Sequence, residues 1–164
     1  MLEDMERSDV MLDTSFFIRL LNEQDPLHEN VLQYYKYFLQ NDFVLKTSTI
    51  SIAEYCVKGE IDELPLNDIQ IVPFNINHAI KAGNLAAFVF QNKDLLNLPD
   101  RKIIPNDTKL FAQADTDEQI QKFATSDVEC IKVYNLLNQN RKLKFDIINI
   151  RNPYNEVLGI LDLK

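Results

Sequence analysis

The chain has 164 residues, 46% of them apolar and 26% charged, a length that fits one compact domain with a core of its own. With three glycines, no two close together, neither GxGxxG nor a Walker A loop can be written; two cysteines and two histidines exclude a Cys-rich zinc site, a disulfide framework and HExxH. The net charge of −8, from 25 acids against 17 bases, is awkward for gripping nucleic acid by bulk electrostatics, so any such binding needs a local site where cations reverse the sign.

The opening MLEDMERSD is acidic and is not a signal peptide. The longest apolar run, Leu85 to Phe90, falls far short of the roughly 20 residues of a membrane helix. The expectation is a protein of the reducing cytoplasm with no membrane contact.

Val10-Met11-Leu12 reads as a strand buried on both faces, ended by Asp13-Thr14-Ser15. Phe16 to Asn22 and Pro26 to Gln40 read as helices, the second with Leu27, Val31, Tyr34, Tyr35 and Phe38 at helical spacing. Its aromatic set, Tyr34, Tyr35, Tyr37 and Phe38, is read mostly as core or interface. Phe43 to Thr49 is strand-like, and Ile50 to Lys58 a helix stopped by Gly59. Residues 60–68 are polar, carry Pro65 and read as a loop or irregular turn. Ile69 to Asn75 is a third strand, and Asn77 caps a helix running to about Asn92.

Asp94 to Pro105 reads as irregular, and Asn106 opens a helix ending near Asp115. Lys122 to Ser126 is a short strand, Asp127 to Gln139 a helix, and Lys144 to Ile150 the last strand. The tail 151–164 is undetermined. Strands alternating with helices predict an α/β fold: a mainly parallel, roughly five-stranded sheet with helices on both faces. In such sheets ligands bind beyond the carboxyl ends of the strands, where strand order reverses.

Four acids fall at such places: Asp13 after the first strand, Glu54 in the helix after the second, Asp107 early in the helix before the fourth, and Asp127 after the fourth. If the first and fourth strands are neighbours, Asp13 and Asp127 face each other across about 5 Å. Carboxylates that close repel, and one takes up a proton or a cation sits between them. Oxygen ligands without His or Cys suit Mg²⁺ or Mn²⁺. Each acid also has a local reading. Asp13, Asn106-Asp107 and Ser126-Asp127 can be helix caps or dipole complements, and Ser51-x-x-Glu54 fits a capping box. The joint pattern favours a shared site, since independent caps need not all carry acids at one sheet edge.

The segments VMLDTS (Val10–Ser15), TSTISIAEY (Thr47–Tyr55), NDTKLFAQA (Asn106–Ala114) and FATSDVE (Phe123–Glu129) resemble, in that order, the motifs of PIN-domain nucleases, and among them the VapC-type toxin ribonucleases. The resemblance covers about residues 10–150 and implies a single three-layer α/β/α PIN-like domain over 1–164. It implies a Mg²⁺- or Mn²⁺-dependent endoribonuclease that leaves a 5′-phosphate and a 3′-hydroxyl. By the same resemblance Asp13, Glu54, Asp107 and Asp127 are catalytic and hold metal, with Glu129 as a further ligand. Thr14, Ser15, Thr125 and Ser126 match the places of hydroxyls that position water or phosphate. The partners it implies are an RNA substrate, an antitoxin protein and a second copy of the chain, with early-helix residues such as Phe16, Phe17, Leu20 and Leu21 near those protein contacts.

Lys46, Lys58, Arg101, Lys102, Lys109 and Lys122 are the bases available for a local rim, each also readable as a solvated surface charge. Cys56 and Cys130, on helices after the acidic motifs, read as buried thiols acting as small hydrophobes. An aspartyl phosphatase needs a second Asp two residues after the first, where Ser15 stands, and a DxSxS adhesion site is broken by Phe17. The remaining rival is a PIN fold kept as a binding or scaffold module with weak or no catalysis.

Overall fold

The computed structural model describes residues 8–97 and 103–159. Five strands form one parallel sheet: β1 (Asp9–Leu12), β2 (Val44–Ser48), β3 (Ile69–Val72), β4 (Ile120–Thr125) and β5 (Asp146–Asn149), in the order β3-β2-β1-β4-β5. Strand order therefore reverses at β1, which lies between β2 and β4. Leu12 stands level with Thr47 on one side and Ala124 on the other, so Asp13 leaves the sheet beside the ends of both neighbours.

Alternation along the strands feeds two cores. Met11 and Phe123 point into one, shared with α4 (Ile76–Gln91), α5 (Ile103–Thr116) and α6 (Val128–Arg141), and centred on Phe111, Phe123, Tyr134 and Phe145. Val10, Leu12, Leu45 and Ala124 point into the other, under α1 (Thr14–Leu20) and α2 (His28–Gln40). The result is the expected three-layer α/β/α arrangement with every residue of β1 buried. Tyr34 and Phe38 belong to the second core, and Tyr37 packs against Phe38 and Phe43, so the aromatic set of α2 builds structure.

Several boundaries differ from the sequence reading, each for a local reason. α1 begins at Thr14 because the Asp13 carboxylate accepts the Phe16 N–H. α4 is capped by Asn75, not Asn77: Asn75 accepts from the His78 N–H while the Asn75 N–H donates to His78 Nδ1, both at 3.1 Å. α5 does not open at Asn106. It already includes Ile103, since Pro105 is tolerated in a first turn and buried Ile104 anchors that turn. Residues 61–63 and 66–68, read as a loop or irregular turn, form short 3₁₀ turns, as do Lys93–Leu95. The rest of the 94–105 expectation falls partly on 98–102, outside the described residues. β3 stops at Val72 and β5 spans only Asp146–Asn149.

The tail is tied back onto α2. Asn30 Nδ2 donates to the carbonyls of Ile150 and Asn152, Tyr34 donates to the Asn152 carbonyl, and a short α7 (Tyr154–Val157) sets Tyr154 edge-on to Tyr34. No helix among the described residues is long and apolar enough to cross a membrane. Cys130 is buried as expected, whereas Cys56, at the end of α3 (Thr49–Tyr55), is exposed.

Lys46 is not part of a basic rim. It lies on β2 level with Met11, is buried, and its ammonium is 2.6 Å from both Asp9 and Asp117 at the far end of the sheet. Lys46→Ala leaves buried carboxylate without its cation and costs about 3–5 kcal/mol. Lys122→Ala, which removes an exposed pair with Asp146, costs about 0–1 kcal/mol. Urea denaturation of the two variants reads the contrast, and equal losses would contradict it.

Candidate metal centre

Asp13 is pinned at the carboxyl end of β1 by three donors. Its Oδ1 accepts from the Phe16 N–H at 3.0 Å and from Ser15 Oγ at 2.7 Å; its Oδ2 accepts from Thr125 Oγ1 at 2.5 Å. The cap reading holds for Asp13, and it does not use up the carboxylate: one oxygen starts α1, the other turns toward β4. The N–H of Asp127 donates to Thr125 Oγ1 at 3.0 Å, so a single hydroxyl ties the two acids' segments together. Asp127 in turn caps α6, accepting from the N–H groups of Glu129 and Cys130.

Glu54 is not half of a capping box with Ser51. α3 is capped by Ser48, whose hydroxyl accepts the Ile50 N–H at 2.9 Å. This frees Glu54 to reach across to α1 and α5. Its Oε2 accepts from Thr14 Oγ1 at 2.5 Å and its Oε1 from Asn106 Nδ2 at 2.7 Å. Asn106 and Asp107 are no cap either, because α5 starts before them. Asn106 is a site residue that the sequence reading passed over; its only signal was its place beside Asp107.

Asp107 is the least comfortable of the acids. It is 7% exposed, and its Oδ2 is buried with no hydrogen-bond partner among the described residues. Burial, followed by the charges of Asp127, Asp13 and Glu54, pushes its carboxyl up to about 8; the Cys130 thiol offers a weak compensating hydrogen bond. Asp13 is raised to about 6 by burial, against the opposing pull of its Thr125, Ser15 and Phe16 donors. Its own burial, followed by the charges of Asp107, Asp13 and Asp127, pushes the Cys130 thiol well above its ordinary range.

These side chains line a cavity of about 320 Å³, walled by Asp13, Glu54, Asp107 and Asp127 with Thr14 and Asn106 between them. The four predicted acids therefore come together from four separate stretches of chain. Among the described residues no three His, Cys, Asp or Glu side chains already close on one point as a finished ion cage. The donor set nevertheless fits a hard cation: oxygen only, crowded negative charge, and one orphaned buried carboxylate oxygen.

The other predicted residues divide. Ser15 lines the cavity and receives the Ser126 N–H at 2.9 Å. Thr125 is fully buried and acts through Asp13. Ser126 faces away, its carbonyl accepting from Arg151 Nε at 2.7 Å and its hydroxyl lying 3.5 Å from Arg19 Nε. Glu129 does not line the cavity and pairs with Lys132 at 3.2 Å. Arg19, also paired with Asp25, and Arg151 are bases at this edge that the sequence reading missed. Of the rim it named, Arg101 and Lys102 lie outside the described residues, and Lys122 pairs with Asp146.

No family model and no curated protein matches the chain. Solved structures do. VapBC2 from Rickettsia felis, bound to a DNA fragment from its promoter, is similar with a TM-score of 0.58 and 17% identity, covering 85% of this chain and 98% of that one. DNA-bound VapBC from Salmonella typhimurium gives 0.53 and 16%, covering 86% and 97%. The Mycobacterium tuberculosis sarcin-ricin loop cleaving toxin VapC20 gives 0.49 and 17%, over 74% and 92%. At such identities the likeness is one of fold, and the fold is the VapC-type PIN fold.

The raised carboxyls make a stability prediction with a definite sign. With chelator present, the folded protein holds protons on Asp13 and Asp107 that the unfolded chain releases near pH 4, so stability falls as pH rises from there through about 6 and about 8. Asp107→Asn removes the larger of the two shifts. It is expected to flatten the decline above about pH 6 and to raise Tm at pH 8 by about 2–4 °C per kcal/mol of repulsion relieved. Melting curves against pH test this; an unchanged slope in the variant would refute it.

Proposed function

We propose, with the VapC-type PIN fold as premise, that this protein is a metal-dependent endoribonuclease hydrolysing RNA phosphodiester bonds, acting as the toxin of a cytoplasmic toxin–antitoxin pair. The observation that carries this reading is the cavity walled by four acids from separate stretches of chain, with a buried Asp107 oxygen that has no hydrogen-bond partner among the described residues. A charge cluster of that kind destabilises an isolated fold and gains its sense from a cation.

In this reading Asp13, Asp107 and Asp127 hold Mg²⁺ or Mn²⁺, with Glu54 as ligand or outer support. Such an ion supplies acidified water and neutralises charge on the attacking and leaving oxygens of an in-line displacement. Thr125 and Ser15 keep the Asp13 carboxylate aimed by donating to it. Asn106 and Thr14 do the same for Glu54. Asp107, whose buried Oδ2 has no hydrogen-bond partner among the described residues, would be free to bind the ion or to orient its water. Glu129, turned to Lys132, serves at most from outside the cavity. No protein nucleophile is needed, which suits a site whose wall, among the described residues, holds no Cys, His or Lys. Of the early-helix residues expected near the antitoxin and second-copy contacts, Phe16, Phe17 and Leu20 are buried in the second core, which corrects that expectation; of the four only Leu21 is exposed.

Single-stranded RNA incubated with Mn²⁺ tests the reading. Cleavage is expected to stop with chelator and to fall about 100-fold or more in Asp13→Asn and Asp127→Asn, both remaining folded by circular dichroism. Mn²⁺ is expected to raise the Tm of the wild type and not of those variants. Cleavage indifferent to chelator and substitution would sink the nuclease reading. A folded protein with neither cleavage nor a Mn²⁺ shift would favour the scaffold module.

A further inference from the structure

Beside the acid cavity lies a second, larger hollow of about 760 Å³ between α1 and α3, bordered by Ile18, Leu21, Tyr55, Val57 and Lys58. Thr14, Ile18 and Glu54 line both spaces, so the two adjoin along a shared wall that includes the Thr14–Glu54 hydrogen bond and together form a trough. α1 produces this division by its own periodicity. Thr14, Ile18 and Leu21 fall on the face toward α3, whereas Ser15 and Arg19 fall on the face toward β4. Ile18, Leu21 and Val57 leave much of their apolar surface in water.

The aromatic wall of this trough is fixed in place. The Tyr55 hydroxyl donates to Glu63 at 2.9 Å, and its ring lies so close to Gly59 that a Cβ there would sit 2.4 Å from a ring carbon. Any other residue at 59 would displace the ring. Glu63 in turn is held by the Glu60 N–H at 2.9 Å. A half-buried ring clamped from behind and at its tip, one residue from Glu54, is a pre-ordered surface with little rotamer entropy left to lose on binding.

We propose that this hollow takes the base of the nucleotide flanking the scissile phosphate, with the Tyr55 ring as its stacking platform and Lys58 at the rim toward the backbone. The proposal rests on the nuclease reading and adds its substrate form: single-stranded RNA with a base turned out of its stack. Two observations favour a nucleobase over a protein segment as the occupant: the hollow shares Thr14, Ile18 and Glu54 with the acid cavity and so lies directly beside the acids that would face the scissile phosphate, and its wall carries an aromatic ring held in place. Because the net charge of −8 gives no bulk attraction for phosphates, stacking would have to supply much of the affinity.

The test is a cycle between ring and base. The wild type, Tyr55→Ala, Tyr55→Phe and Leu21→Ser are given a labelled single-stranded oligonucleotide with one mapped cleavage position, intact or abasic on either side of it. Binding is read by anisotropy with Ca²⁺ in place of Mn²⁺, and cleavage is read separately with Mn²⁺. Tyr55→Ala is expected to weaken binding about 10-fold. The wild type should lose about the same on one of the two abasic substrates, and the two losses should not add. Tyr55→Phe, which keeps the ring, should retain that coupling. Leu21→Ser, at an exposed position that the fold does not depend on, should weaken binding in the same direction.

Losses that add fully at both abasic positions, or undiminished binding in Tyr55→Ala and Leu21→Ser, would overturn the proposal and leave the hollow to a protein segment. Coupled binding without Mn²⁺ cleavage would keep the base site and defeat the nuclease reading. Cleavage without coupling would do the reverse.

Discussion

Four carboxylates drawn together and partly buried beyond the carboxyl end of β1 set the constraint that the rest of this structure accommodates. The order β3-β2-β1-β4-β5 makes β1 the point where the chain turns from one side of the sheet to the other. That geometry opens a crevice beyond Asp13 and gives two neighbouring strands and two helices access to it. Into it the chain sends Asp13, Glu54, Asp107 and Asp127. Three of them are restrained by hydrogen bonds from hydroxyl, amide or backbone donors, while Asp107 keeps a buried oxygen without a hydrogen-bond partner among the described residues. Burial first, and the neighbouring acids after it, raise the carboxyls of Asp13 and Asp107.

The rest of the fold can bear that strain because it lies elsewhere. Two apolar cores sandwich the sheet, and the only charged residues of β1 and β2 are held at the opposite end, where Lys46 meets Asp9 and Asp117. Among the described residues the two arginines at this edge are already engaged: Arg19 by Asp25, and Arg151 by the Ser126 carbonyl. With a net charge of −8, holding a polyanion here would call on cations at the acids and on uncharged contacts beside them. The hollow between α1 and α3, with Tyr55 fixed against Gly59, supplies surface of the second kind.

Local hydrogen bonds do double duty in this arrangement. The Asp13 carboxylate caps α1 and also faces Thr125, so reading it as a cap or as a site residue was never a choice between alternatives. Asp127 caps α6 in the same way. For Glu54 and Asp107 the cap readings fail, since Ser48 starts α3 and α5 is under way before Asn106. An acid that is not spent on a helix end has to be accounted for by something farther off, and here the account is the shared cavity.

The amino-acid sequence by itself determined the alternation of strand and helix, the parallel sheet, the burial of β1 and the four acids, because hydrophobic period and the residues that follow strands are local properties. It misplaced the starts of α4 and α5, where a reciprocal Asn75–His78 cap and a first-turn proline outweighed composition. Only the tertiary structure decided which charges are spent at home. Lys46 left the basic rim for a buried pairing, Glu129 turned to Lys132, and Asn106, Arg19 and Arg151 came to the site's edge from positions with no mark in the sequence. Those outcomes depend on strand register and on how helices cross the sheet, and contacts between residues distant along the chain are not written in any one stretch of it.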